Sequence, residues 1–298
     1  MGAREFGWLL YDYVRRRQMR MLLLFLFSLT TSMIVSAQDP TKLAPQNYKV
    51  LFENQQMRVI EYRLKPGERE PMHSHPYGLF VYFLSDAKIR TTFPDGKTSE
   101  DSKHTGDAVW RDPVTHAVEN VGNTETHALL IEPKSHSQQS VPHTSPQEQS
   151  ASPQGYVLGP NEGEHLIRNA GSIFIKVDPS RGSNNMTVWT QQVPTRTGIA
   201  IHQHQEADEV LFVLEGTGFG ILGDTRMPIA KGSAIYIPRG VWHGVENPDS
   251  ELLLLFVVAP PGLEAFFREA ASAPGAPPKQ LTREQLNEIA RKHGMQFK

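Results

Sequence analysis

The sequence of 298 residues predicts an all-β chain of two tandem barrels followed by a short C-terminal helix. Three observations predict it. Short apolar runs, several of them alternating, recur between turn signals, as in sandwiches and barrels. A histidine pattern occurs twice: His73-Ser74-His75, Gly106 and His116-Ala117-Val118-Glu119-Asn120, then His202-Gln203-His204, Gly232 and His243-Gly244-Val245-Glu246-Asn247. Two copies of one module explain that most economically. Finally, a polar, proline-bearing stretch separates the copies.

Residues 1–37 read as a secretory signal. Arg15-Arg16-Arg17 and Arg20 precede an apolar run, Met21 to Val35, and Val35-Ser36-Ala37-Gln38 supplies small residues at the cut. A membrane helix needs about 20 apolar residues. This run is shorter and carries Ser28, Thr30, Thr31 and Ser32. The expectation is an exported protein, periplasmic or extracellular, with no stable membrane span after cleavage. With no cysteine it has no disulfides, and its formal net charge of −2 comes without a basic stripe. That excludes a nucleic-acid binder.

The first module spans 47–133. Val59–Leu64 and Leu79–Leu84 read as strands, and Lys65-Pro66-Gly67, Pro94-Asp95-Gly96 and Gly122-Asn123 as turns. Residues 134–155 form a linker without core-forming content, whose His136 and His143 are solvated. The second module spans 156–270, with strands near Ser172–Val177, Val210–Leu214, Ala234–Ile237 and Leu252–Val258. Leu263–Ala271 reads as a short helix. Within 279–298, Thr282-Arg283-Glu284-Gln285 fits a capping box that opens the last helix. Leu281, Leu286, Ile289 and Met295 give it one apolar stripe, to dock on a barrel or on a partner subunit in a homodimer.

Side chains two apart on a strand face the same way, so His202 and His204 share a cavity. Glu209 lies an odd number of residues from both and joins them only if the turn Gln205–Asp208 resets the pleat. Glu206 and Asp208 then face solvent. His243 arrives from a distant strand. Three histidines and a carboxylate suit a divalent transition metal, with Fe, Mn, Ni, Zn and Cu all open. Because the imidazoles must be neutral, affinity should weaken below a pH of about 6.5. His73, His75 and His116 could form an all-histidine metal site, but Phe80 stands where Glu209 stands in the second copy. The bland alternative is a barrel kept for packing or apolar ligands, with the Phe80 ring beside the cavity and Tyr77, Tyr82 and Trp110 lining it. Gly216-Thr217-Gly218-Phe219-Gly220 leads into a strand, whereas a phosphate-binding loop needs a helix.

At these residues the sequence resembles a two-domain cupin. The family's first motif is matched by Gly198, His202, His204, Glu209 and Gly216, and its second by Gly232, Pro238, Gly240, His243 and Asn247. The first half keeps Gly67, His73, His75, Gly106, His116 and Asn120, but departs at Phe80 and holds Pro113 out of register. The resemblance implies two antiparallel jelly-roll barrels packed as a pseudo-dimer. It further implies a metal on His202, His204, Glu209 and His243, with Glu209 also a base. The activity so implied is a metal-dependent, dioxygenase-like oxidoreductase acting on a small organic molecule, and Phe212, Phe219 and Trp242 favour an apolar one. Oxalate-degrading relatives often carry an arginine where this chain has Ile201. The alternative is a non-catalytic cupin that binds or senses a small ligand.

Overall fold

The computed structural model describes residues 38–134 and 155–298. Residues 1–37, expected to be a signal, and nearly all of the expected linker 134–155, with His136 and His143, lie outside the described residues. Among the described residues, no helix is long and apolar enough to cross a membrane.

The alternating runs of the first module become strands. A single helical turn, α1 (Pro40–Leu43), leads into β1 (Tyr48–Glu53), β2 (Met57–Leu64), β3 (His73–His75), β4 (Leu79–Phe83) and β5 (Ala87–Thr92). β6 (Thr98–Lys103), β7 (Ala108–Arg111), β8 (Val114–Asn120) and β9 (Thr126–Pro133) complete it. After the linker, β10 (Val157–Leu158) still pairs with β7 of the first barrel, so the second module's lead ties the two together.

The second barrel contains β11 (Glu164–Arg168), β12 (Gly171–Val177), β13 (Thr187–Val193), β14 (Ile199–His204) and β15 (Asp208–Glu215). It continues through β16 (Thr217–Leu222), β17 (Thr225–Ala230), β18 (Ala234–Ile237), β19 (His243–Glu246) and β20 (Leu252–Ala259). The chain ends with α2 (Leu263–Ala270), α3 (Arg283–Lys292) and β21 (Met295–Phe297). Each barrel is two antiparallel sheets, β1-β2-β9-β4-β7-β10 with β3-β8-β5-β6, and β11-β12-β13-β20-β15-β18 with β17-β16-β19-β14-β21. The all-β jelly-roll pair is as the sequence implies.

Three cores follow from strand alternation. Ile60, Leu64, Leu79, Val81 and Leu130 fill the first barrel, and Ile173, Leu211, Val213, Leu254 and Phe256 the second. The opposite faces of the six-stranded sheets meet in a third core, where Met57, Phe80, Tyr82 and Ile131 pack with Val210, Phe212, Leu255 and Val257. The strands at this junction therefore carry apolar residues on both faces.

The last helix is shorter than the segment 279–298. Its capping box is present at Thr282 and Gln285, but Gly294, at φ 69°, ends it. Met295 consequently sits on β21, which pairs with β14 (His202↔Phe297, His204↔Met295). Leu281, Leu286 and Ile289 pack on the second barrel's own core, so that barrel covers the stripe.

A buried asparagine pins each barrel. Asn247 Nδ2 donates to the carbonyls of Val193, Pro194 and Ser250, and its Oδ1 accepts from Gly198 N. Asn120 does the same for Leu64, Thr124 and Gly122. Asn247→Ala strands these groups and should cost about 3 kcal/mol. Asn247→Asp turns a carboxylate on three carbonyls and should cost more. Urea unfolding at neutral pH checks the order, and an Asp variant as stable as the parent would contradict it.

Candidate functional site

The second site begins at Gly198. Its φ is 61°, and a Cβ there would lie 2.7 Å from Val245 O, so glycine lets β14 start hard against β19. The register then sets His202 opposite His243, with His204 two residues along on the same face. Ring centroids stand 5.0 Å (His202–His204), 4.2 Å (His202–His243) and 4.8 Å (His204–His243) apart. Nδ1 of His202 donates to Ala200 O and Nδ1 of His243 to Val241 O, each at 2.9 Å, which leaves both Nε2 atoms for a cation. The turn between β14 and β15 does reset the pleat. Glu209 Oε2 lies 3.6 Å from His204 Nδ1 and 3.9 Å from His243 Nε2.

His204 Nδ1 and His243 Nε2 are buried without hydrogen-bond partners. Buried polar atoms are rarely left so, and lone pairs converging beside a carboxyl are a cation's coordination set. The residues fit a divalent transition metal, and imidazole suits Fe, Ni, Cu and Zn alike. Burial pushes His202 down to about 3 and His204 to about 2, lowers His243, and raises Glu209 to about 8. His202 and His204 are thus neutral far below the pH of about 6.5 expected from their free values.

Two neighbouring expectations are corrected. Glu206 is exposed, but Asp208 is buried, because Arg239 N and Nε and Asn54 Nδ2, from the other barrel, all bond its carboxylate. A cavity of about 210 Å³ opens over the histidines, and its walls are aromatic. The rings are not those expected: Trp189, Phe256, Phe266, Phe267 and Phe297 line it. Phe212 points into the inter-barrel core, Phe219 lies under Arg226, and Trp242 is not part of the wall. Trp189 stacks on Phe256, and Phe297 packs 5.7 Å from the His202 ring.

The first barrel repeats the scheme with a change. His73 faces His116 across β3 and β8, and His75 completes a triad with centroids 4.8–5.4 Å apart. In each triad the ligand atoms lie within 4.8 Å of one another. His73 Nδ1 donates to Pro71 O, His116 Nδ1 is buried and bare, and His75 Nδ1 bonds Glu132 Oε1 at 2.5 Å. Arg58 grips that same carboxylate. Against burial, the bonds from His75 and Arg58 hold Glu132 below the usual carboxylate range.

Phe80 does not sit beside this cavity. It points outward into the inter-barrel core with Tyr82 and Trp110, while Tyr77 is exposed, and Leu79 and Val81 face inward. None of the three aromatics expected there lines the histidine cavity. The carboxylate has instead crossed the ladder. In the second barrel Glu209 pairs with Val258 of β20, whereas in the first Leu79 takes the inward place on β4. Glu132 lies on β9, one step beyond the Phe80↔Ile131 pair.

Sequence reasoning also missed Glu70, which is buried and accepts from Tyr62 OH at 3.0 Å and from Tyr48 OH; the Tyr48 hydroxyl stands 3.3 Å from His73 Nε2. Burial drives Glu70 up to about 7, the two phenols pulling the other way. Pleat parity was the available signal for Glu132, two residues beyond inward-facing Leu130. Glu70 precedes β3 and had none.

A cupin domain model matches residues 189–259. An uncharacterised protein of Methanocaldococcus jannaschii is 34% identical over 55 residues, which are 18% of this chain and 44% of that protein. Another, from Streptomyces coelicolor, is 32% identical over 77 residues, 26% of this chain and 72% of that protein. Among solved structures, the putative glyoxylate-induced protein of Pseudomonas aeruginosa superposes with a TM-score of 0.55 at 13% identity, covering 71% of this chain and 78% of that one. Lactobacillus farciminis oxalate decarboxylase, in a formate complex, gives 0.52 at 13%, covering 70% and 78%. Salicylate 1,2-dioxygenase of Pseudoaminobacter salicylatoxidans, as a mutant bound to gentisate, gives 0.52 at 16%, covering 72% and 73%. At these identities the likeness is one of fold.

Glu70 generates a pH test. Its folded-state value of about 7 exceeds the free carboxyl value of 4.5, so the folded protein holds a proton that the unfolded chain releases. Stability should fall as pH rises from about 4.5 to 7, by up to about 3 kcal/mol. Glu70→Gln should flatten that slope and be the more stable protein at pH ~8. Urea midpoints across the range check it, and parallel profiles for the two proteins would refute it.

Proposed function

The chain belongs to the cupin superfamily, and from that premise we propose that it is an exported, metal-dependent oxidoreductase of the dioxygenase type, acting on a small organic molecule. The observation that carries this reading is the set His202, His204, His243 and Glu209, of which His202, His204 and Glu209 line an aromatic cavity of about 210 Å³. A divalent metal bound there would supply a Lewis acid and, if redox-active, a route for electrons.

The chain's own residues do the rest. Carbonyls of Ala200 and Val241 fix the rings of His202 and His243, so both face the cavity in one tautomer. Burial raises Glu209, so its carboxyl can carry a proton at the floor, while its ionised form would ligate a bound metal or take a proton up. Trp189, Phe256, Phe266 and Phe297 exclude water from the reacting face. In the first barrel His73, His75 and His116 form a second metal site, with Glu132 orienting His75. Its cavity is only about 50 Å³, so we assign turnover to the second barrel.

Elemental mass spectrometry on the protein, purified without a histidine tag, should find near two metal ions per chain. His202→Ala and His73→Ala should each remove one. Loss of metal through His202→Ala alone would make the first barrel a scaffold. No metal even after reconstitution would overturn the enzymatic reading and leave a small-ligand binding module.

Glu209→Gln separates ligation from proton transfer. At saturating metal it should keep its ion but lose roughly 100-fold in dioxygen uptake with any small aromatic or enolisable compound the parent consumes. Full metal content together with full uptake would remove Glu209 as the base.

A further inference from the structure

Arg168 closes β11, opposite Gly171, across the two-residue turn Asn169-Ala170 whose φ values of 49° and 61° mark a primed hairpin. The residue lines the same cavity as His202, His204 and Glu209. Among the described residues its guanidinium makes one hydrogen bond to protein, Nη1 to Ala270 O at 3.2 Å at the C-terminal end of α2, and it lies 5.4 Å from the centre of the Phe266 ring. Among the described residues no carboxylate comes within ion-pair distance of it. Glu164, four residues back on the same strand, pairs with Arg268 instead. Burial alone perturbs Arg168, with no counter-charge to offset it.

A half-buried cation facing an apolar cavity is costly until an anion meets it. The planar fork matches a carboxylate by two parallel bonds. An apolar cavity of about 150 Å³ takes benzene, so about 210 Å³ has room for one ring and its carboxylate. We propose that the second-barrel cavity binds a small apolar carboxylate of single-ring size, anchored by its carboxylate to Arg168, with its body between Trp189, Phe256 and Phe266 and its far end toward His202 and Glu209. This rests on the metal reading of the second barrel and gives it a substrate class.

The test titrates the full, metal-loaded protein with benzoate and with its neutral counterpart benzamide, by calorimetry and by the fluorescence of Trp189 in the cavity wall. Benzoate should bind at least tenfold tighter than benzamide. Arg168→Gln should weaken benzoate by about 10- to 100-fold, the range of a charge-assisted pair, and leave benzamide within about twofold. Arg168→Lys, which keeps the charge but not the fork, should fall between, and it guards against a Gln variant that fails to fold. Equal weakening of both probes, no weakening, or no benzoate binding at millimolar concentration would overturn the proposal. Metal content of the same samples keeps the readings apart. Full metal in Arg168→Gln with benzoate binding unchanged sinks the anchor alone, whereas full metal in His202→Ala sinks the metal site.

Discussion

The pleat of the two six-stranded sheets is the constraint on which the remainder depends. Each sheet turns one face into its own barrel and the other onto the neighbouring barrel, so adjacent residues have opposite fates. On β15 the inward set is Glu209, Leu211 and Val213, while Val210, Phe212 and Leu214 pack across the junction. A slip of one residue moves a ligand out of the cavity and into an apolar interface. β4 shows that outcome: Phe80, five residues after His75, as Glu209 is after His204, faces the junction. A carboxylate could not be tolerated there. The first barrel keeps acids near its histidines from other places, Glu132 one strand over and Glu70 ahead of β3.

Burying so many polar groups is costly, and the structure offsets it locally. Glu132 is held by Arg58 and His75, Asp208 by Arg239 and Asn54, and Lys176 by the carbonyls of Gly159, Pro160 and Glu162. Where no partner is supplied, protonation state gives way: burial leaves His116 and His204 neutral and raises Glu209. Three of the buried nitrogens without a partner among the described residues, His116 Nδ1, His204 Nδ1 and His243 Nε2, belong to the triads. Each triad thus brings unsatisfied nitrogens into an enclosed space, the condition under which a cation is bound strongly.

The jelly-roll pair, the two histidine triads and the turn that returns Glu209 to its face were legible in the sequence, because each depends on spacings within one or two strands. The capping box at Thr282 was legible for the same reason. What was illegible involves partners far apart along the chain. Phe256, Phe266 and Phe297 converge from β20, α2 and β21, and no local period links them. Asp208 read as a solvated turn residue because its partners, Arg239 and Asn54, lie 31 and 154 positions away. Met295 fitted a helical stripe, and only Gly294 signalled the stop. Glu132 is the instructive miss, since alternation from Leu130 implied its inward aim.

The two histidine strands differ in what covers their free edges, and that difference separates the barrels. On β3 the cover comes from the N-terminal lead, where Ser74 N donates to Gln38 O beside α1. On β14 it comes from the C-terminal strand β21, which sets Phe297 and Met295 against His202 and His204. Covering an edge satisfies its amides in either case. The first barrel, however, is filled by its own Leu79, Val81 and Phe83, leaving about 50 Å³, room for a few waters at about 10–15 Å³ each. In the second, α2, α3 and β21 arch over the opening and wall a larger space without filling it. The two triads offer similar ligand sets, yet only the one roofed by the C-terminal segment has room for an organic molecule. The C-terminal segment is therefore part of the site rather than an appendage to the barrel.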